Sequence, residues 1–410
     1  MRELGHELIS LEEARETMLA LIGTIETETC ATPEAFGRVL RQPIEARDLI
    51  PPFDNSAMDG YAVHAADLAT ASGENPVTLP VAFRLQAGEV AEEPLTAGSA
   101  ARIMTGAPMP PGADAVVMVE LAEVSPDGVA VTVGVEVPVG NHVRAAGEDL
   151  MTGDRVFDTG TVLGPGHLGV LASIGVVTVQ VRSRLRVGVL STGDALREGS
   201  AALAPGQIRD ANRPALLGLL DELGAEGGDL GRVADDEAAI EAALVNGVAR
   251  CDALLTSGGV SMGDFDYVKV VLDRIGDMRW MQVAIKPAKP LAFGLVDGMP
   301  VFGLPGNPVS SMVSFELFAR PALRSMAGHR DLDRRRVRAE VVGGLGRHPD
   351  GKVHFARVVV EVTDGRFRVR SAGGQGSHQL TAMAAADGLA ILPDGDGVAD
   401  GDQVEVLLLG

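Results

Sequence analysis

The pattern of hydrophobic and polar positions predicts a helical start to the chain. Leu11 and Met18 lie one heptad apart on the same helical face, and Ser10 stands where a capping residue is expected. Thr32, which is followed by a proline, fits the start of a second, shorter helix that would run to Leu40. We therefore expect two helices before the pattern changes.

Three later regions show three other patterns. Residues 41–149 carry short alternating runs broken by Gly and Pro, which are typical of strands and tight turns. Residues 185–328 alternate strand-like apolar runs with helix-like amphipathic runs, and this alternation predicts a doubly wound α/β domain. After a charged segment at 331–336, which we interpret as a linker, only strand-like runs follow. The pattern predicts a multidomain chain of α/β and β parts.

Length and charge restrict the classes of function. A chain of 410 residues is too long for one hydrophobic core, so about two to four domains are expected. The formal net charge of −21 leaves no basic field for nucleic acid or for an anionic membrane surface. Cys30 and Cys251 are too few for a disulfide framework, and no apolar run reaches the roughly 18 residues of a membrane span. We expect a cytoplasmic protein that acts on small molecules.

Three turns rich in glycine and proline carry most of the candidate chemistry. They are SGGVSMGD (257–264), IKPAKP (285–290) and GLPGNP (303–308), and each adjoins a strand-like run. Such turns gather at the carboxyl edge of a parallel sheet, where backbone N–H groups can face one crevice. Asp264 and Asp266 would bring carboxylates to that crevice. The turns therefore predict an anion pocket that could also hold a hard cation.

Lysine is scarce in this chain, and its placement is informative. The sequence has 31 arginines and 4 lysines, and two of the lysines, Lys286 and Lys289, lie in the second turn. The prolines around them stiffen the backbone, so the ammonium groups would be presented at set positions. A compact ammonium suits a phosphate or an oxyanion. We therefore interpret both lysines as anion partners rather than as solvated surface charges.

Some polar residues of these turns also have a local structural explanation. Asp264 could cap the following helix instead of binding a metal ion, so both interpretations stay open, and Asp266 is the better candidate for a ligand. Asn307 could cap the helix that starts at Pro308. That cap leaves residues 304–306 unexplained, and their rigid backbone would hold the free N–H groups of the helix start as an anion site.

A second cluster of candidates lies far away in sequence. The loop PPFDNSAMDGY (51–61) combines two prolines with Asp-Asn-Ser and Asp-Gly turns, and RIMTGAP (102–108) ends a strand with an exposed hydroxyl. The acidic residues at 147–149 could form an ordinary turn. The sequence contains no P-loop, no Gly-x-Ser-x-Gly elbow and no histidine pair at metal spacing. These residues favour metal-assisted transfer at a phosphate or oxyanion centre.

Nine segments, in order along almost the whole chain, resemble one known family. They are PPFDNSAMDGYAV (51–63), RIMTGAPMPPGADAVVMVE (102–120), GEDL (147–150), STGD (191–194), GQIRDANRPAL (206–216), TSGGVSMGDFDYVK (256–269), IKPAKP (285–290), GLPGNPVSS (303–311) and GGQGSHQLTAM (373–383). The series resembles the molybdopterin molybdenumtransferase family, which includes MoeA and the E domain of gephyrin.

The resemblance implies four domains and an elongated homodimer. The domains would be a discontinuous dimerisation or linker domain (1–30 and 150–184), an inserted β-rich module (31–149), a MogA-like molybdopterin-binding α/β domain (185–328) and a C-terminal β-barrel (329–410). The active site would join the α/β domain of one subunit to the β-rich module of the other. A molybdopterin adenylyltransferase would be a further partner.

For this family the implied activity is insertion of molybdenum from molybdate into adenylylated molybdopterin, with release of AMP and with Mg²⁺ as the cofactor. The residues with catalytic roles would be Asp59 and Thr105 of the partner subunit, together with Asp194, Asp266, Lys286 and Lys289. Those that bind substrate would be Ser257, Gly258, Gly259, Ser261, Asp235, Asp236, Pro305, Gly306, Asn307, Pro308 and Ser377. The metal ligands would be Asp149, Asp264 and Asp266.

One departure from the family and two other functions are part of this interpretation. Where the family commonly has Gly-Asp-Glu-Leu, this chain has Ala195 in place of the glutamate. The α/β domain also resembles MogA-type adenylyltransferases, although those lack the β-rich module and the C-terminal β domain. A non-catalytic scaffold of the same fold is the third hypothesis, because the E domain of gephyrin also anchors receptors.

Overall fold

The computed structural model describes residues 8–258 and 267–410, which form two compact units. The larger unit contains the chain up to residue 28, residues 37–41 and the chain from 180 onward. The smaller unit contains residues 29–36 and 42–179. Among the described helices, none is long and apolar enough to cross a membrane. The four domains implied by the family resemblance stay a prediction.

The first part of the described chain is dominated by short strands. Its helices are α1 (Leu11–Leu19) and α2 (Pro165–Ser173). Its strands are β1 (Thr27–Ala31), β2 (Ile44–Glu45), β3 (Asn55–Ser56), β4 (Gly60–Val63), β5 (Val77–Leu85), β6 (Ala100–Ile103), β7 (Ala115–Met118), β8 (Ala122–Val124), β9 (Ala130–Val133), β10 (Val143–Arg144), β11 (Arg155–Phe157) and β12 (Thr178–Arg182).

The two helices predicted near the N-terminus have different outcomes. α1 begins as expected, because the Ser10 hydroxyl accepts a hydrogen bond from the Glu13 N–H at 3.0 Å. The prediction of a second helix from Thr32 to Leu40 is wrong. Only a 3-10 turn at Thr32–Ala35 forms there, and the backbone leaves the helical region at Phe36 with ψ of 131°. A proline after Thr32 starts a helical turn but does not extend it.

The smaller unit is built on one six-stranded sheet with the order β7-β4-β6-β5-β9-β8. Only β5 and β6 in this sheet run parallel to each other. Tyr61, Val117 and Val131 lie in the buried core on this sheet. Two short antiparallel ladders, β3 with β10 and β2 with β11, form beside it. This is the β-rich architecture that the alternating pattern predicted.

The middle of the chain alternates strands and helices. Its helices are α3 (Asn212–Leu223), α4 (Glu237–Val248), α5 (Tyr267–Ile275), α6 (Pro308–Ser314) and α7 (Arg320–Met326), and a π-helical turn at Phe315–Ala319 joins the last two. Its strands are β13 (Arg186–Thr192), β14 (Leu196–Arg197), β15 (Ile208–Arg209), β16 (Glu226–Val233), β17 (Ala253–Ser257), β18 (Asp277–Gln282), β19 (Ile285–Lys286), β20 (Pro290–Val296) and β21 (Met299–Leu304).

These elements form a doubly wound sheet with the strand order β16-β13-β17-β21-β20-β18. The first four strands are parallel, and β20 and β18 are antiparallel to their neighbours. Successive residues of a strand point to opposite faces. Accordingly, Val189 packs with α3 and α6 in one core, whereas Leu190 packs with α4 and α5 in a second core. The prediction of a doubly wound α/β domain is confirmed.

Two strands of this sheet were missed by the sequence interpretation. β16 reads EGGDLGRV and lies at the sheet edge, where half-exposed positions tolerate glycine and charge. β20 follows the proline-rich turn directly, so its apolar run was not separated from that turn. The apolar run from Trp280 to Ile285 is not one continuous strand, because β18 ends at Gln282 and the short β19 begins at Ile285.

The last part of the chain is a closed barrel. Its elements are β22 (Arg336–Val341), β23 (Leu345–Gly346), β24 (Val353–Thr363), β25 (Arg366–Ser371), α8 (Leu380–Ala384), β26 (Gly388–Leu392), β27 (Gly397–Val398) and β28 (Gln403–Leu408). Five strands close in the order β24-β25-β22-β28-β26 and back to β24, and β19 adds to β24 from outside. Val358, Val369 and Val406 fill its interior. The prediction of a C-terminal β-barrel is confirmed.

The charged segment before the barrel is not a solvated linker. The side chain of Arg334 is only 9% exposed, and its guanidinium contacts the carboxylates of Glu222 and Glu316. Asp333 forms an ion pair with Arg15 of α1 at 2.6 Å. Because opposite charges meet here across the fold, the segment packs as part of the larger unit.

Candidate active site

Four parallel strands bring their carboxyl ends to one edge of the sheet. The register pairs Thr192 with Val233, Ser191 with Ser257, and Ser257 with Leu304. Gly193 and Asp194, Asp235 and Asp236, Gly258, and residues 305–308 follow these strand ends. The chain passes from β13 to β16 on one side and then to β17 on the other, so the strand order reverses here. Open α/β sheets bind ligands at such a reversal.

The turn with the two lysines lies at the same edge. β20 runs antiparallel to β21 with Ala292 opposite Gly303, and Gln282 of β18 lies opposite Pro290. The connection from 283 to 289 is therefore placed beside the end of β21. Lys286 and Lys289 are both exposed there. The register thus brings the described parts of the three turns to one edge, as the sequence predicted.

Lys286 also has a neighbour that the sequence did not indicate. It pairs with His354 of the barrel strand β24 in a parallel ladder. Burial lowers the pKa of the His354 imidazole against the opposing hydrogen bond to Asp350, and the Lys286 ammonium adds to the lowering. Beside Lys286 the structure therefore favours a neutral imidazole, which leaves the ammonium as the charge at this position.

Asn212, the first residue of α3, ties two turns together. Its Nδ2 donates to the Ser257 hydroxyl oxygen at 2.7 Å and to the Gly306 carbonyl oxygen at 2.8 Å. The Gly258 N–H donates to the Leu304 carbonyl oxygen at 3.0 Å. Gly258 has φ of +95°, and a Cβ at this position would lie 3.4 Å from the Thr192 carbonyl oxygen. The edge is therefore closely packed and is held by a buried amide.

Asn212 was missed as a site residue. It lies within the GQIRDANRPAL segment that carried the family resemblance, which was the available signal. Its role depends on contacts 45 and 94 residues away in sequence. Local spacing does not reveal such contacts.

The aspartates at this edge are partly engaged with the backbone. Asp194 Oδ1 accepts from the Asp235 N–H at 3.2 Å, and Asp235 Oδ2 accepts from the Asp194 N–H at 3.1 Å. Asp236 caps α4, since its Oδ1 accepts from the Ala239 N–H at 2.9 Å. The reciprocal pair fixes two carboxylates side by side, and within the described residues it engages one oxygen of each.

The start of α6 differs from the predicted anion site. Asn307 stands at the capping position in an extended conformation, but its side chain makes no capping hydrogen bond. Pro308 has no N–H, and the N–H of Val309 donates to the Ser377 carbonyl oxygen at 3.2 Å. The interpretation of this turn as a row of free donors is therefore wrong at the second helical residue. Ser377 is brought to the edge through its backbone.

A fully buried arginine holds the loop that carries Ser377. Arg357 of β24 is 0% exposed, and its Nη2 donates to the carbonyl oxygens of Gly374 at 2.8 Å and Gly376 at 3.2 Å. The Gln375 side chain accepts from the Arg357 N–H at 2.9 Å and donates to its carbonyl oxygen at 3.0 Å. Burial lowers the pKa of the Arg357 guanidinium. Sequence analysis missed this residue, which stands in a strand without any motif.

The smaller unit brings the second cluster together. Asp59 Oδ1 accepts from the Thr105 N–H at 2.8 Å and from its hydroxyl at 2.7 Å. These two hydrogen bonds, the backbone one first, lower the pKa of the Asp59 carboxyl. Arg102 donates to the Gly60 carbonyl oxygen at 2.8 Å and lies 5.1 Å from the centroid of the Tyr61 ring. An ionised carboxylate is thus held at the surface of this unit.

The metal ligands expected from the sequence are not seen as a group. Gly259, Ser261, Asp264 and Asp266 lie outside the described residues. Asp149 belongs to the smaller unit, where it is exposed and its N–H donates to the Ile50 carbonyl oxygen at 2.9 Å. Within residues 8–258 and 267–410 no group of three or more His, Cys, Asp or Glu side chains could hold a metal ion.

Models of known protein families match most of the chain. Three family models match in succession: "MoeA N-terminal region (domain I and II)" at residues 9–175, "Probable molybdopterin binding domain" at 188–325 and "MoeA C-terminal region (domain IV)" at 347–409. The second of these spans the sheet and the described turns at its carboxyl edge.

Relatives and solved structures agree over nearly the full length. The molybdopterin molybdenumtransferase of Haemophilus influenzae is 37% identical over 97% of this chain and 98% of its own. That of Bacillus subtilis is 34% identical over 94% of this chain and 90% of its own. The crystal structure of the molybdopterin biosynthesis MoeA protein from Pyrococcus horikoshii OT3 superposes with a TM-score of 0.83 at 31% identity, covering 98% of this chain and all of that one. This chain therefore belongs to the molybdopterin molybdenumtransferase (MoeA) family.

Proposed function

We propose that this chain inserts molybdenum from molybdate into adenylylated molybdopterin and releases AMP, in the biosynthesis of the molybdenum cofactor. The proposal rests on the gathering of polar turns at the strand-order reversal, in a chain that resembles proteins named for this transfer over nearly its full length. One reactant has a phosphate and the other is an oxyanion. A pocket with exposed ammonium groups and a closely packed backbone suits both.

The residues at the edge have separate tasks in this proposal. Lys286 and Lys289 provide the positive charge that attracts molybdate and the phosphate. Asn212 holds the Ser257 and Gly306 turns at a fixed separation, so that the pterin meets a preformed wall. Pro305, Gly306 and Pro308 shape that wall, and Asn307, whose side chain is not used for capping, faces substrate. Gly259 and Ser261, which lie outside the described residues, are further substrate-binding residues that the family resemblance implies, and the loop that contains Ser377 completes the pocket.

Mg²⁺ is the cofactor in this proposal. The ion commonly uses one or two carboxylates together with phosphate oxygens of a substrate. Asp194 and Asp235 fit this role, since each commits one oxygen to a neighbouring N–H and retains a second. Asp264, Asp266 and Asp149 are the further ligands that the family resemblance implies. When bound, Mg²⁺ would neutralise phosphate charge while AMP leaves.

A homodimer is also part of the proposal. Asp59 and Thr105 of the partner subunit would complete each pocket, with the Asp59 carboxylate already oriented by Thr105. A mixture of Asp59→Ala and Lys286→Ala chains tests this arrangement, because hybrid dimers would contain one site with both intact halves. We expect partial recovery of activity. If the chains exchange subunits but remain inactive, each site is built within one subunit.

Product analysis tests the reaction itself. The purified protein is incubated with adenylylated molybdopterin, molybdate and Mg²⁺, and both AMP release and molybdenum incorporation are measured. We expect both products, dependent on molybdate. Formation of adenylylated molybdopterin from ATP and molybdopterin would instead assign the adenylyltransferase alternative, which the names of the full-length relatives do not favour. Absence of all these products would leave the scaffold hypothesis.

A further inference from the structure

A cavity of about 820 Å³ lies in the larger unit between α1, α7 and the segment before the barrel. Its lining includes none of the residues that we place at the carboxyl edge of the sheet. Six arginines line it: Arg15, Arg320, Arg324, Arg330, Arg334 and Arg335. This concentration of guanidinium groups contrasts with the net charge of −21 for the whole chain.

Two of these arginines are neutralised by carboxylates. Arg334 makes two hydrogen bonds of 2.9 Å to Glu316, whose side chain is 1% exposed, and a third of 2.5 Å to Glu222. Arg15 forms its ion pair with Asp333 at 2.6 Å. The bidentate contact of Arg334 with Glu316 is among the strongest in proteins, so Arg334 is structural, and Arg15 is committed to Asp333 by one contact.

Arg320 is the least compensated member of the set. It is 8% exposed, and its Nε lies 3.8 Å from Glu316 Oε2, beyond hydrogen-bond distance. Its Nε and Nη1 are buried and have no hydrogen-bond partner within residues 8–258 and 267–410. Glu316 already gives both oxygens to Arg334, so a single acid serves two guanidinium groups. A buried donor without a partner costs free energy, which a bound acceptor would recover.

Arg324 forms no ion pair with the residues that the structure describes, so its positive charge stays in the cavity. Its Nε donates to the backbone carbonyl oxygen of Asp331 at 2.7 Å, which satisfies a donor but leaves the charge. The pKa shifts of two neighbouring groups agree with an accumulation of positive charge. Burial lowers the pKa of Arg320, and the charge of Arg334 lowers it further. Burial, together with Arg324 and Arg320, lowers the pKa of the adjacent His329 to about 4. Among the described residues, only two acidic side chains line the cavity, those of Asp331 and Asp333, against six arginines.

We propose that this arginine cavity binds the phosphate or diphosphate group of a small soluble molecule, at a site distinct from the transfer site. A guanidinium presents parallel donors that match two oxygens of a phosphate. The volume falls within the range of about 300 to 1,000 Å³ that is usual for ligand sites. Arg324 and Arg335 would contact the ligand, and the buried guanidinium of Arg320 would add positive charge to the site.

Calorimetric titration of the full chain with inorganic pyrophosphate tests the site, in chloride buffer of matched ionic strength. We expect saturable binding, weakened about tenfold or more by Arg324→Gln and by Arg335→Gln. Arg324→Lys should also weaken it, because the charge remains but the fork is lost. Lys286→Ala should leave it unchanged. Arg370→Gln is the matched control, since that exposed arginine only pairs with Glu361 at 3.3 Å.

The same variants define the results that would overturn the proposal. Absence of saturable binding to the wild type, binding that survives both Arg324→Gln and Arg335→Gln, or binding that Lys286→Ala abolishes would each place phosphate elsewhere. Thermal unfolding in chloride buffer verifies that each variant is folded. Arg335→Gln should keep full molybdenum transfer, so failure here and failure of the proposed function are distinguishable.

Discussion

The carboxyl edge of the α/β sheet and the arginine cavity present positive charge in opposite ways. At the edge the charges are exposed lysine ammonium groups beside packed turns, and the nearby aspartates engage the backbone. In the cavity two of the guanidinium groups, those of Arg320 and Arg334, pack around Glu316, which is almost fully buried. A solvated ammonium can bind ligands whose charge changes during a reaction, because water hydrates the ammonium whenever no ligand is bound. The buried guanidinium of Arg334 is instead held by a permanent carboxylate partner.

This difference predicts that the two regions respond to opposite kinds of substitution. Removing charge at the edge should affect activity and leave stability intact. Removing the charge of Glu316 should affect stability first, because its partners Arg320 and Arg334 are buried.

Glu316→Gln is expected to have the largest effect. It leaves Arg334 and Arg320 without their shared buried carboxylate, and breaking one partner of a buried ion pair costs about 3 to 5 kcal/mol of unfolding free energy. Denaturant unfolding measures the loss. Glu361→Gln is the control, since that pair with Arg370 is exposed and should contribute about 1 kcal/mol or less. Equal effects of both substitutions would contradict the structural role of Glu316.

Lys286→Ala should lower the rate of molybdenum transfer by a factor that corresponds to about 2 to 4 kcal/mol, since one charged contact to the reacting anions is lost. The thermal midpoint should stay that of the wild type because the side chain is exposed. Lys269→Ala is a matched control among the four lysines, as Lys269 lies over the Trp280 ring at 5.3 Å. A similar loss of activity in both variants would argue against a specific anion contact.

Arg357→Met tests the loop that joins the barrel to the sheet edge. Two carbonyl oxygens, those of Gly374 and Gly376, lose a charged donor, and each such loss is worth about 1 to 3 kcal/mol locally. We expect faster amide hydrogen exchange in residues 373–379 and a higher KM for the pterin substrate with a smaller change in kcat. Arg357→Lys should restore part of the protection. Unchanged exchange in the loop would refute its anchoring by Arg357.

Substitution of His329 should have the smallest effect on the free energy of unfolding, and only at acidic pH. The pKa of His329 is about 4 when folded and about 6.5 when exposed, so the unfolded chain binds a proton that the folded chain does not. Stability contributed by this group is therefore present above pH 6.5 and falls as pH decreases toward 4, by at most about 1.4 kcal/mol per pH unit. His329→Asn should reduce this slope in denaturant unfolding. A slope identical to that of the wild type would show that His329 titrates normally.

The hydrophobic pattern and the local segments determined the architecture and the family. Alternation of strand-like and helix-like runs predicted the doubly wound domain, and alternating short runs predicted the β-rich module and the barrel. These features depend on neighbouring residues, because strand and helix periods are local properties of a chain. β16 was missed because an edge strand needs no continuous apolar run.

Only the tertiary structure decided which polar groups meet. Asn212 bridges to Gly306, 94 residues away, and Arg334 reaches Glu222, 112 residues away. It also showed that the first free donor of α6 is used by Ser377, and that the charged segment 331–336 is packed rather than solvated. The spacing of residues along a chain does not specify these contacts, because packing of distant elements brings such side chains together and burial decides whether their charges must be paired.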